Sequence, residues 1–298
     1  MLDLLTYDVF TDTPFLGNPL AIVPRAEALT TKQMQTLAQE LNLSETIFVM
    51  PPDDPVNTAK VRIFYPKAEI AFAGHPTIGC AVHLSGLIEA QADATVAMTL
   101  EEEAGLVPVR VQRENGRVTA EFTAPLLPVR NRVITDKELT ADALGLDARD
   151  IGNATVAMPE VWQAGPSYLL VPVASVDALG RARPTGSDWD RLTERAGTIS
   201  AWLFTSDAEN CFRARMFSPA GGTPEDPATG SAVVTFAGLL ACHGHCTRAE
   251  TSARVLQGVE MGRRSEIQAR IMLKDGELSA VRIGGCAVPI SSSRIRIP

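Results

Sequence analysis

From Thr30 onward the chain places Met34, Leu37, Ala38 and Leu41 at the i, i+3, i+4, i+7 spacing that gathers apolar side chains on one helical face. Thr30, with Gln33 three residues on, reads as the start of that helix through a reciprocal cap. A shorter stripe of the same kind, Trp189, Leu192 and Ala196, follows Ser187. Residues 77–87 and 228–242 are different: they are apolar all round, with almost no charge on any face. Helices of that kind belong inside, wrapped by other structure. Elsewhere the period changes to that of strands. Residues 46–50 and 202–205 are short β-prone runs, and residues 107–111, 118–122, 267–273 and 278–283 form two hairpins that turn at Asn115, Gly116 and at Asp275, Gly276.

The order of these elements repeats. Arg62, Phe64 and Pro66 return 153 residues later as Arg215, Phe217 and Pro219, and His75, Pro76, Gly79 and Ala81 return 151 residues later as Asp226, Pro227, Gly230 and Ala232. Two matched patterns in one order, half a chain apart, describe a duplicated unit. The chain of 298 residues is long enough for two cores. The expectation is an α+β fold with two pseudo-symmetric domains, each a curved, barrel-like sheet around a central apolar helix. Residues 1–125, completed by 286–298, form the first domain and residues 126–285 the second, with residues 125–128 as the linker.

Composition narrows the class. Lys and Arg number 27 against 35 Asp and Glu, a net charge of −8, with 45% hydrophobic and 21% charged residues and a mean hydropathy of +0.06. That balance excludes general disorder and disfavours nucleic acid or an anionic membrane as partner. The N-terminus carries Asp3 and Asp8 without a basic segment before an apolar one, so no secretory signal is expected and the cytoplasm is the expected location. Residues 70–88 lack charge but hold His75, Pro76, His83 and three glycines, which argues against a membrane span. Five scattered cysteines read as reduced thiols.

Asp226 followed by Pro227 reads as an N-cap and a first-position proline, with His75 and Pro76 in the equivalent place. If the halves face each other, both buried helices aim their N-termini at the cleft, and Gly79, Cys80 in the first turn, Gly230 and Ser231 sit where a small carboxylate docks. Tight helix packing is the competing explanation for either glycine alone. His75 and Asp226 place different proton-handling groups at matched points, although an Asp there is equally well a structural cap. Glu45 stands where helix gives way to strand and has its counterpart near Ala201, so it is a carboxylate present in one copy only. Solvated surface is the usual place for such an acid. Cys242, His243, His245 and Cys246 are spaced too tightly to close on one tetrahedral ion. No phosphate-loop or dinucleotide motif is present, so no cofactor is expected. Glu69, Glu225 and His83 read as solubility, loop hydrogen bonding or packing.

Gly17, Asn18 and Pro19, the 43–46 segment with Glu45, the Arg62 motif, residues 72–77 with Gly79, the 225–232 string, Gln257, Gly258 and residues 261–263 together resemble the phenazine-biosynthesis PhzF-like isomerases. The resemblance covers nearly the whole chain. It implies the diaminopimelate-epimerase-like fold, a cofactor-independent site and a homodimer. It implies that Glu45 is the general acid/base, that His75, Asp226 and Ser231 hold and polarise the substrate, and that Gly74, Gly79, Cys80, Thr229 and Gly230 line it. Related racemases use a cysteine pair where this chain has His75 and Asp226. The implied substrate is a small cyclic carboxylate such as trans-2,3-dihydro-3-hydroxyanthranilate. An amino-acid racemase, epimerase or dehydratase, and a non-catalytic binding protein on the same fold, are the alternatives.

Overall fold

The computed structural model describes residues 1–89 and 93–298. Its elements begin with β1 (Leu2–Val9), β2 (Asn18–Val23), α1 (Thr31–Leu41), β3 (Glu45–Met50), β4 (Ala59–Tyr65), β5 (Ala68–Ile70), α2 (Gly74–Ile88), β6 (Ala94–Glu102), β7 (Gly105–Glu114) and β8 (Arg117–Thr123). Next come β9 (Val129–Val133), α3 (Lys137–Leu144), β10 (Glu160–Gln163), β11 (Ser167–Pro172), α4 (Val176–Arg181), α5 (Gly186–Ala196) and β12 (Ala201–Ala208). The chain closes with β13 (Cys211–Ser218), β14 (Thr223–Asp226), α6 (Gly230–Cys242), β15 (Glu250–Gln257), β16 (Ser265–Lys274) and β17 (Glu277–Ile295). The fold is α+β, and its contacts divide it into one unit of residues 1–125 with 282–298 and another of residues 126–281.

In the first unit β17 pairs with β1, β1 with β2, β2 with β3, β3 with β4 and β4 with β6. From there β6, β7 and β8 run antiparallel, and β8 returns to β17, closing a barrel of eight strands. Helix α2 fills it, touching β1, β2, β3, β6, β7 and β8. A side chain on Gly79 would put its Cβ 2.5 Å from Leu20 and 2.9 Å from Val9, so this glycine lets the helix press onto β1 and β2. Packing accounts for it. The amphipathic α1 starts at the Thr30 and Gln33 capping box and buries Met34, Leu37 and Ala38 against Ala21, Val23, Phe48 and Phe64.

The second unit repeats this order. Strands β9, β10, β11, β12, β13, β15 and β16 pair in sequence, with parallel steps at β11–β12 and β13–β15 where the first unit has them at β2–β3 and β4–β6. Phe236 of α6 meets Trp202, Phe204 and Phe212 at ring centroid separations of 4.7 to 5.0 Å. Helices α3, α4 and α5 add a second apolar cluster through Leu139, Leu144, Leu179, Trp189 and Leu192.

The repeated Arg motif has a physical cause. Arg62 donates twice to Glu69 at 2.6 Å and lies over Phe64, and Arg215 donates to both carboxylate oxygens of Glu225 and lies over Phe217. Glu69 and Glu225 are therefore matched ion-pair partners rather than solubilising acids. The helix starts also differ from the sequence-based expectation. Asp226 is not an N-cap: it ends β14, paired with Met216, and α6 begins four residues later at Gly230 with Thr229 as its cap residue. His75 is likewise no cap, because α2 begins at Gly74 with Ala73 before it, and Cys80 falls in the second turn rather than the first. The strand pairing of Asp226 holds it in extended conformation past the point where sequence preference would start a helix.

Candidate active-site groups

Glu45 opens β3 beside Leu20 of β2, and the matching register in the second unit pairs Leu169 with Ala201. The acid therefore breaks the symmetry of the duplicated fold. Its Oε2 lies 3.0 Å from His75 Nδ1, with Glu45 20% exposed and His75 3% exposed. This is a close contact without hydrogen-bond alignment, since Oε2 is buried and has no aligned donor. His75 Nε2 is also buried and unpartnered. A buried polar atom left unmatched is costly, and here two of them fall on adjoining side chains. Gly74 and His75 are the first two residues of α2, where no side chain caps the helix. Their amide groups lie in the part of a helix that favours negative charge.

In the second unit Asp226, Thr229 and Ser231 are each buried. Thr229 Oγ1 donates to Asp226 Oδ2 at 2.6 Å, so the Thr229 hydroxyl is turned away from capping α6. Gly230 and Ser231 then begin a second helix with no side-chain cap. Ser231 Oγ and Tyr168 Oη approach to 2.7 Å. Gln257 ties the loop together: its Nε2 donates to the Asp226 carbonyl at 2.8 Å and to Thr229 Oγ1 at 2.9 Å, while its Oε1 accepts from Trp202 Nε1 at 2.9 Å. Trp Nε1 only donates, which fixes the orientation of the amide. Gly258 follows with φ +71, where a Cβ would lie 2.7 Å from the Pro227 carbonyl, so strand β15 and the loop make backbone contact. Tyr168 and Gln257 escaped assignment from sequence; Gln257 was visible only as part of a family pattern and Tyr168 carried no local signal.

Cys80 is fully buried, and burial, with Glu102 nearby, pushes its thiol up. Such a thiol is neutral and is no base at ordinary pH. The Cys242 to Cys246 cluster is dispersed in structure. His243 Nε2 lies 2.7 Å from the buried Glu160, His245 bonds to the Thr155 carbonyl, and Cys246 is buried while Cys242 is exposed. Among the described residues no three His, Cys, Asp or Glu side chains are grouped to hold a metal ion. No described helix is long and apolar enough to cross a membrane.

Residues 7–293 match the family model described as phenazine biosynthesis-like protein. An uncharacterized isomerase of Mesorhizobium japonicum is 40% identical over 98% of both chains. The trans-2,3-dihydro-3-hydroxyanthranilate isomerase of Pseudomonas chlororaphis is 34% identical over 97% of both. A crystal structure of a PhzF-family phenazine biosynthesis protein from Bacillus anthracis superposes with a TM-score of 0.86 at 27% identity, covering 99% of both chains. The fold is the diaminopimelate-epimerase-like one that the family resemblance implied, and the chain belongs to the phenazine biosynthesis-like, or PhzF, family of isomerases.

Proposed function

We propose that this isomerase moves one proton between carbons of a small cyclic carboxylate of the trans-2,3-dihydro-3-hydroxyanthranilate class, with Glu45 as its general acid/base. The observation that carries the reading is the Glu45 and His75 pair: Glu45 Oε2 lies 3.0 Å from His75 Nδ1, and Glu45 Oε2 and His75 Nε2 are both buried without a hydrogen-bond partner. Glu45 takes the proton from one ring carbon, the electron pair of that C–H bond spreads through the conjugated ring, and the same carboxyl returns the proton to another carbon. Atoms and charge balance within the substrate, and no redox partner is consumed. His75, with Nδ1 toward Glu45, offers Nε2 to a substrate O–H or N–H. Asp226 and Ser231 bind the substrate's polar groups, and the uncapped starts of α2 and α6, at Gly74 and Gly230, favour its carboxylate. Gly79 and Cys80, which pack inside the first unit, act through shape.

The substrate class is tested by following trans-2,3-dihydro-3-hydroxyanthranilate by proton NMR with the protein and without it, beside proline and other amino acids scored for loss of the α-hydrogen in deuterated water. Enzyme-dependent decay of the diene signals with inert amino acids is the expected result. Exchange of an amino-acid α-hydrogen with an untouched diene would instead make the protein a racemase. The buried thiol gives a second expectation. Cys80→Ser retains turnover within about threefold, because proton transfer by a positioned group contributes roughly 10²–10⁴-fold and Cys80 supplies none of it. A drop of that larger size in Cys80→Ser would contradict the assignment to Glu45.

A further inference from the structure

Helix α2 is anchored at its start by a group that the reaction does not use. Strand β6 alternates, and its inward positions Val96, Met98 and Leu100 are followed at the same parity by Glu102. This carboxyl is buried, and its Oε2 has no partner. Thr77 Oγ1 lies 2.7 Å from Glu102 Oε1 and 2.7 Å from the Ala73 carbonyl oxygen. A threonine hydroxyl has one proton to give, and a carbonyl oxygen has none. With the Thr77 proton on Ala73, the contact to Glu102 is a hydrogen bond only if the carboxyl itself donates.

The duplicated fold supplies an internal control. Lys60 pairs with Glu101 across β4 and β6, and Arg213 pairs with Leu256 across β13 and β15. The Arg62 and Arg215 repeat makes Lys60 and Arg213 equivalent, so the next residues, Glu102 and Gln257, occupy the same position in their units. Gln257 is neutral and donates to the Thr229 hydroxyl at the start of α6. Glu102 likewise meets a threonine hydroxyl at a helix start, that of Thr77 in the first turn of α2. The repeat sets Thr77 against Ala228, one residue before Thr229, so the positions of Glu102 and Gln257 match while their threonines are offset by one.

We propose that Glu102 is a neutral carboxylic acid that donates to Thr77, and that it is the positioning residue for the α2 start carrying His75, as Gln257 is for the α6 start. Burial supports this by pushing the carboxyl up to about 8, against the opposing pull of the Thr77 hydroxyl. The other ionisable groups around it are Cys80 on α2, Asp53 before β4, Lys60 and Arg62 on β4, Glu69 on β5, and Glu101 and Glu103 beside it; all of these except Cys80 share with Glu102 a cavity of about 520 Å³. Arg62 is engaged by Glu69, Lys60 by Asp53, and Glu101 by the Asp53 and Asp54 amides, so no free cation is assigned to Glu102. A carboxyl raised in the folded state contributes stability that is complete below its unfolded value of about 4.3 and is lost as pH climbs to about 8.

The positioning role rests on the reading of His75 given above, but the charge state does not, and the test separates the two. Infrared difference spectra, melting temperature and the imidazole nitrogen resonances of His75 are followed from pH 5 to pH 9.5 in wild type, Glu102→Gln and Glu102→Leu, with turnover of trans-2,3-dihydro-3-hydroxyanthranilate in parallel. The wild type shows a protonated carboxyl carbonyl band that is lost near pH 8, a His75 shift with the same midpoint, and a fall in turnover with it. In Glu102→Gln the band is absent, the His75 shift and alkaline fall disappear, and neutral turnover stays within about twofold, because the amide keeps a donor to Thr77. Glu102→Leu keeps the fold but moves the His75 resonances at every pH. An ionised Glu102 at pH 6, or His75 resonances identical in all three proteins, would overturn the proposal whether or not this diene is the substrate.

Discussion

Replacing Glu45 with glutamine lowers kcat by about 10³-fold, within the 10²–10⁴-fold that a positioned acid/base supplies, and leaves substrate affinity within a few-fold. The substitution keeps size and hydrogen bonding while removing the carboxyl to which the proposed proton transfer is assigned. Glu45 reaches its place through the first residue of β3, whose backbone is fixed by parallel pairing with β2, so the fold does not depend on the side chain. Glu45→Asp withdraws the carboxyl by about 1 Å and loses about 10²-fold, which is the penalty for a misplaced reacting group. Single-turnover kinetics with equilibrium binding of the same ligand separates the two effects. A Glu45→Gln protein with weakened binding and unchanged kcat would assign the carboxylate to holding the substrate.

Arg215→Ala destabilises the protein by about 3–5 kcal/mol, whereas Arg62→Ala costs about 1 kcal/mol. Both arginines make the same two-pronged bond to a glutamate and lie over a phenylalanine. They differ in burial, with Arg215 at 7% and Arg62 at 25% side-chain exposure. Helix α4, which has no counterpart in the first unit, makes the difference. Arg215 Nη1 donates to the carbonyls of Leu179 and Ala182 at 3.0 and 2.8 Å, adding a charged donor at the carbonyl-rich end of α4. Removing it takes the buried donor from the end of α4 and leaves a partly buried Glu225 without its cation. Urea unfolding of the two variants measures the contrast, and equal losses would mean that burial is not what distinguishes the copies.

Much of this architecture could be read from residues close together in the chain. The α1 capping box, the uncharged α2 and α6 and the turns at Asn115, Gly116 and Asp275, Gly276 all carry local signals, and these residues adopt the positive φ values that such turns require. The asymmetry at Glu45 was legible because the duplication sets it against Ala201, and the strand register pairs the two positions in the same way. The start of α6 was not, because a capping preference at Asp226 lost to pairing with Met216, a contact made ten residues back in the chain. Tyr168 reaches Ser231 across 63 residues, and no local pattern marks such a pair. Glu102 lay within reach of the sequence: strand parity after Val96, Met98 and Leu100 turns it inward, and an acid at an inward position calls for a partner or a proton.

The most direct measurement is the position and extent of deuterium after trans-2,3-dihydro-3-hydroxyanthranilate is incubated in deuterated water with wild type and with Glu45→Gln. Transfer by a single carboxyl predicts that the wild type yields product labelled at one ring carbon to less than full extent, since part of the original proton is returned. The glutamine variant leaves the substrate unconverted and unlabelled. Product formation or carbon exchange by Glu45→Gln at the wild-type rate would contradict the account.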